Sequence, residues 1–219
     1  MSANLKDRFT EDYFERGRVK GISGYMNYSW MPEQTLRMAH YMITDLPISR
    51  QQKVLDFGCA KGYLVKALNL LDVDCDGVDI SQYAIENVDT EIKHKCWHID
   101  TVISPKALKR HYEWMVAKDV FEHIEEDALR DILERLKKNV ERIFAIVPLA
   151  KDDKSNEFVV PDYHNDVTHI TIEDFDWWCG FLADCGWTIE KSSYKFSGMK
   201  ENWTDVWARG NGFFVISSC

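Results

Sequence analysis

What this sequence lacks narrows its reading before any motif is considered. No apolar run approaches the roughly 20 residues of a membrane span, and the start MSANLKDRFTEDYFERGRVK is too charged for a secretory leader. A soluble, cytoplasmic protein without a membrane span is therefore expected. Paired cysteine is lacking: Cys59, Cys75, Cys96, Cys179, Cys185 and Cys219 are scattered, with no C-x-x-C pair and no His-rich partner cluster. Zinc and redox motifs need short paired spacings, so no metal site is expected and the thiols are read as reduced, packed side chains. Positive charge is in deficit: 27 Lys and Arg stand against 36 Asp and Glu, a net charge of −9. Such a balance repels phosphate backbones and argues against a nucleic-acid partner. There is no internal repeat and no low-complexity tract.

What is present fits one domain over residues 1–219, long enough to bury a core without a disulfide or metal. Short apolar runs at Lys53–Phe57, Cys75–Asp79, His94–Ile99, Glu113–Lys118 and Val140–Val147 predict strands. Between them, Gly62–Leu71, Ser81–Val88, Pro105–Arg110 and Glu125–Lys138 predict helices. In the last of these Leu129, Ile132, Leu133 and Leu136 follow helical spacing behind an acidic first turn. Parallel strands need crossovers, so the alternation predicts an α/β doubly wound sheet, mostly parallel, with helices on both faces. Runs at Thr188–Phe196 and Gly212–Ser217 predict a C-terminal antiparallel hairpin.

Two segments break that rhythm. Residues 1–50 read as an N-terminal extension, with a helix from Pro32 to Asp45 that Pro47 stops. Residues 148–170 form a long polar connection, the kind that serves as a lid or an insertion beside a site. After it, Thr171 and Asp174 resemble a capping box for a helix carrying Phe175, Trp178 and Leu182 on one face and ending at Gly186.

The most informative stretch is Val54-Leu55-Asp56-Phe57-Gly58-Cys59-Ala60-Lys61-Gly62, a strand running into a glycine-containing turn and then a helix. Glycine permits the tight turn and a close ligand approach at the helix start. The phosphate-loop pattern G-x-x-x-x-G-K-[ST] is missing, and Ala60 replaces the central glycine of G-x-G-x-x-G, which disfavours a nicotinamide oxidoreductase. Asp56 would repel a pyrophosphate but suits a ligand bearing an ammonium group.

This stretch resembles the first motif of the class I S-adenosylmethionine (SAM)-dependent methyltransferases, and the resemblance extends over about residues 30–217. It implies a Rossmann-like sheet, SAM as cofactor and S-adenosylhomocysteine as product. It implies that Asp56, Gly58, Cys59, Ala60 and Gly62 form the cofactor loop, and that Asp79 in Gly77-Val78-Asp79-Ile80-Ser81 takes both ribose hydroxyls, with Ile80 beside it. Asp100, ending His98-Ile99-Asp100, faces the adenine amino group, and the backbone at Lys118 and Asp119 lines the methionine portion. Ala60 departs from the family's usual glycine and implies a narrowed turn.

The aromatic segment GISGYMNYSW suits a lid over the cofactor, with Tyr25, Tyr28 and Trp30 as contacts; the alternative is ordinary packing. For an oxygen nucleophile a base is needed, and histidine is the natural one. His169 is the first choice because it precedes the helix that the family places beside its active site, with His164 and His123 as alternatives. Glu122 and His123 also read as the opening of the next helix. The leading expectation is methylation of a small polar acceptor, at the oxygen of a sugar, sugar-phosphate or related intermediate. A protein or RNA methyltransferase, and a catalytically silent SAM-binding scaffold or activator, are the alternatives.

Overall fold

The structure is a computed structural model describing residues 7–100, 110–153 and 155–218. Helices α1 (Glu11–Glu15), α2 (Gly17–Lys20) and α3 (Pro32–Asp45) precede the sheet. Then follow β1 (Lys53–Phe57), α4 (Tyr63–Leu70), β2 (Asp74–Asp79), α5 (Gln82–Glu86), β3 (Cys96–His98) and β4 (Tyr112–Lys118). The chain continues through α6 (Glu126–Leu136), β5 (Val140–Pro148), α7 (Phe175–Asp184), β6 (Trp187–Ser193), α8 (Glu201–Val206) and β7 (Asn211–Ser218).

The seven strands lie in the order β3-β2-β1-β4-β5-β7-β6. The first five are mutually parallel, and β7 runs antiparallel to both β5 and β6. This is the expected α/β doubly wound architecture with its antiparallel C-terminal pair, although α8 separates the two strands. The strand order reverses between β1 and β4. At such a switch point the loops leave in opposite directions and open a crevice at the carboxyl ends of the strands.

One face of the sheet packs on α6 and α7, whose Leu129, Leu133, Trp178 and Leu182 are fully buried. The other packs on α3 and α4 through Ala39, Met42, Val65 and Leu68. Burying each of the leucine, valine and methionine side chains among them contributes roughly 1.5–3 kcal/mol. Among the described residues no helix is long and apolar enough to cross a membrane.

Two local expectations are corrected, and a third goes untested. Strand β3 is shorter than His94–Ile99, because Lys93–Lys95 turn as a 3₁₀ segment. The capping box before α7 does not form. Asp174 is itself the N-cap and accepts from the Trp177 N–H at 2.8 Å, while Thr171 Oγ1 donates to the Ile124 carbonyl. The helix expected at Pro105–Arg110 lies outside the described residues, except for Arg110.

Candidate active site

The crevice at the β1/β4 switch point is a cavity of about 270 Å³. Its floor is the loop after β1. The Gly58 and Cys59 amides donate to the Val78 carbonyl at 2.8 and 3.0 Å, which folds the loop over the end of β2. Gly58 takes a φ of +83°, and a Cβ there would stand 2.5 Å from Val120 Cγ2. Glycine is thus required by Val120 beneath as well as by the turn. Ala60 also adopts positive φ, at +48°. It therefore keeps the left-handed turn normally left to glycine, at a cost of roughly 1–2 kcal/mol.

Asp79, at the end of β2, fixes this loop. Its Oδ2 accepts from the Ala60 N–H and its Oδ1 from the Ser81 N–H, both at 2.7 Å. The carboxylate is thereby aimed into the cavity, which it lines together with Asp56, Ile80 and Ile99. Burial, followed by the nearby Asp79 charge, pushes Asp56 up to about 7 against the pull of Lys118.

The sign of the resulting pH dependence is definite. An acid whose folded pKa is raised costs nothing when protonated and most when ionised. The unliganded fold should therefore lose stability as pH rises from the ordinary carboxylate value of 3.8 through about 7. A cationic ligand beside Asp56 should cancel that loss, so its affinity should rise over the same window. Thermal midpoints with and without SAM across this range test it, and Asp56→Asn should flatten both trends.

Beyond β4, Asp119 turns at φ +55°. Lys118 Nζ and Lys200 Nζ each stand 2.5 Å from one of its carboxylate oxygens. Burial alone would raise Asp119, but the two lysines hold it well below the usual range. Lys200 further donates to Tyr163 Oη at 2.8 Å and Asn211 Oδ1 at 2.9 Å. Lys200 is thus locked inside a polar network behind the cavity.

The roof comes from two segments far apart in the chain. Phe9, Tyr13, Phe14, Tyr25 and Tyr28 from the N-terminal extension all line the cavity. Tyr13 donates to Asp166 Oδ2 at 2.7 Å, tying that extension to the 148–170 insertion, and the Val167 N–H reaches the Ile22 carbonyl. Lys61 Nζ anchors the roof to the floor through Glu15 and the Tyr28 carbonyl. Phe9, Tyr13 and Phe14 were not anticipated from sequence. The only signal was the aromatic pair in Glu11-Asp12-Tyr13-Phe14-Glu15, which a charged flank obscured.

At one end of the cavity lies a buried cluster. Glu122 is completely buried, and neither of its carboxylate oxygens has a hydrogen-bond partner. His123 Nε2 and His169 Nε2 face its Oε1 from 4.0 and 3.9 Å. Burial raises Glu122 well above its ordinary value and lowers both imidazoles, His123 to about 4, so both rings are neutral at pH 7. Sequence spacing could not reveal this group, because the two histidines stand 46 positions apart.

The expected site residues therefore divide. Asp56, Gly58, Cys59, Ala60, Asp79, Ile80, Lys118, Asp119, Tyr25, Tyr28 and His123 line one cavity. Gly62 does not; it packs under the loop against Ile92 and Cys96. Trp30 is not part of the lining; its ring packs at a tilt against that of Tyr63, which is. Asp100 is exposed, its Oδ1 3.7 Å from His98 Nδ1, while its neighbour Ile99 lines the cavity. His169 sits one layer behind His123, their rings 4.8 Å apart. His164 Nε2 accepts from the Phe158 N–H, a local structural bond away from the cavity.

A family model for a methyltransferase domain matches residues 25–194. The chain belongs to that methyltransferase family. No curated protein matches it significantly. Among solved structures it is similar to a SAM-dependent methyltransferase from Archaeoglobus fulgidus, with 15% identity, a TM-score of 0.62, and 83% of this chain and 93% of that one covered. A methyltransferase of calicheamicin biosynthesis in its SAH-bound form aligns at 10% identity and TM-score 0.58, covering 86% of this chain and 54% of that one. The mitomycin 7-O-methyltransferase aligns at 12% identity and TM-score 0.59, with the same coverages. At these identities the structural likeness speaks to the fold, and the family match identifies a methyltransferase domain.

Proposed function

We propose that the protein methylates an oxygen of a small polar acceptor inside the roofed cavity, with SAM held on the loop after β1. The observation that carries this reading is the roof itself. Tyr13 bonded to Asp166 and Ile22 bonded to Val167 join the extension and the insertion above the floor, which suits a small enclosed acceptor more than a polymer. The residues present fit the cofactor's chemistry. Asp79 presents a carboxylate for a pair of hydroxyls, and Asp56 one for a cationic group. SAM supplies an electrophilic methyl group on a positively charged sulfur.

The chain's contribution is to exclude water, align the acceptor and take up its proton. Tyr25 and Tyr28 cover the cavity, while the end occupied by His123, with Glu122 and His169 behind it, serves acceptor activation. Of the three histidines considered from sequence, His123 is the one that lines the cavity.

The test is methyl transfer from labelled SAM into a metabolite extract, with RNA and protein fractions run separately. Label in a small, base-stable ether is expected. Label confined to RNA or protein would replace this reading. A second expectation concerns the roof. Amides of residues 21–30 should exchange more slowly when SAM is bound, because the segment then covers an occupied site. Exchange indifferent to SAM would reduce Tyr25 and Tyr28 to packing.

A further inference from the structure

We propose that Glu122, His123 and His169 form a binding site for one divalent first-row transition-metal ion, open toward the methyl-transfer cavity. Among the described residues, one donor atom from each side chain lies within 4.8 Å of the other two. The side chains are 0%, 8% and 8% exposed.

The strongest observation is Glu122. A carboxylate with both oxygens buried and unpartnered is costly unless something else satisfies it. The two imidazoles are oriented to supply the rest of the ligand set. His169 Nδ1 lies 2.8 Å from the Tyr163 carbonyl, which can only accept, so Nδ1 carries the proton and Nε2 presents its lone pair to Glu122. His123 Nδ1 lies 2.9 Å from Thr168 Oγ1, and that hydroxyl gives its own proton to Asp166 Oδ1 at 2.5 Å. Thr168 therefore accepts from His123 Nδ1–H, and the second Nε2 lone pair also turns toward Glu122. Such outer hydrogen bonds are what fix the tautomer and direction of metal-binding histidines.

The separations suit an ion. Ligands at 2.0–2.1 Å around a tetrahedral centre stand roughly 3.4 Å apart, so the 3.9 and 4.0 Å edges need a contraction of about 0.5 Å. Two imidazoles with one carboxylate favour zinc, cobalt, iron or manganese over magnesium or calcium, which prefer oxygen. Three protein ligands leave at least one position free, and His123 brings it to the cavity wall.

The ion's role rests on the methyltransferase reading. It would lower the pKa of an acceptor hydroxyl, which is how metal sites generate nucleophiles at neutral pH. The hydroxyl loses its proton to water, its oxygen bonds the methyl carbon, and the carbon–sulfur bond breaks with its electron pair left on sulfur. His123 then serves as a ligand, and no histidine base is required.

The test is titration of chelator-stripped protein with Co²⁺, without SAM, followed by visible ligand-field absorption and thermal melting. One ion per chain, a raised melting temperature, and at least a 100-fold loss of affinity in Glu122→Gln and in His169→Ala are expected. His111→Ala, an exposed histidine paired with Glu141, should bind as the wild type does. Glu122→Gln keeps the side chain's shape, and its own melting curve reports whether it folds. Should it not fold, His169→Ala and the wild-type melting shift decide. Absent ligand-field bands, or equal affinity in wild type and both variants, overturn the site. Because SAM is omitted, methyl transfer failing while Co²⁺ binds would count against the proposed function and leave the metal site standing.

Discussion

Replacing Asp79 by alanine is expected to weaken SAM binding by roughly 10- to 150-fold, the loss of charge-assisted hydrogen bonds worth about 1.5–3 kcal/mol. The fold should suffer too. The Asp79 carboxylate satisfies the Ala60 and Ser81 amides, and without it two donors beneath the cavity lose their acceptor. An orphaned buried donor costs about 1–3 kcal/mol, so the unliganded variant should melt earlier as well. Asp79→Asn separates the two effects. Its single carbonyl oxygen can still accept from one amide, so it should recover part of the stability while binding SAM poorly. Calorimetry with SAM, paired with urea unfolding without it, measures both. Unchanged affinity in the alanine variant would remove Asp79 from the cofactor site.

Asp119→Ala should have the largest effect on stability. It strips the shared counter-ion from Lys118 and from Lys200, and Lys200 is only 13% exposed. Removing one member of a buried ion pair costs about 3–5 kcal/mol because the remaining charge is left uncompensated. The partial exposure of these side chains argues for the lower end, about 3 kcal/mol. Replacing Lys200 by methionine in the same chain should restore much of that loss, and a double-mutant cycle in urea measures how much. The acid limb follows by linkage. Asp119 is held below its ordinary value, so its contribution is present above pH 3.8 and is lost as pH falls through the lowered pKa. Parallel stability curves for wild type and Asp119→Ala at low pH, converging as pH falls, are the expected result.

The parts of this fold that were legible in the sequence are those built from local rules. The leucine spacing of α6 predicts the face it buries, because a helix repeats every 3.6 residues whatever surrounds it. The Asp56-to-Gly62 stretch predicts a strand, turn and helix, because glycine and strand-end acids act within a few residues. The resemblance then placed Asp79 at the end of the second strand, where it is found. What stayed hidden depends on chain return. Lys200 carries no local mark of burial, and only the approach of β7 and the 3₁₀ turn at Pro161–Asn165 brings Asn211 and Tyr163 to its ammonium group. His169 lies within an irregular insertion, so its place behind His123 could not be read from spacing. Tyr13 and Phe14 sit in a helix of five residues with charged flanks, too short to show a stripe.

The hydrogen bond between Tyr13 and Asp166 joins residues 153 positions apart. A roof with one half from the N-terminal extension and the other from the 148–170 insertion cannot open by bending a single hinge while the bond between them holds. Entry and exit therefore form one cooperative event that severs Tyr13 from Asp166 and Ile22 from Val167 together. An enzyme so built should have departure as its slow step: a rapid burst of methylated product should precede a steady rate set by the unlatching of the two halves.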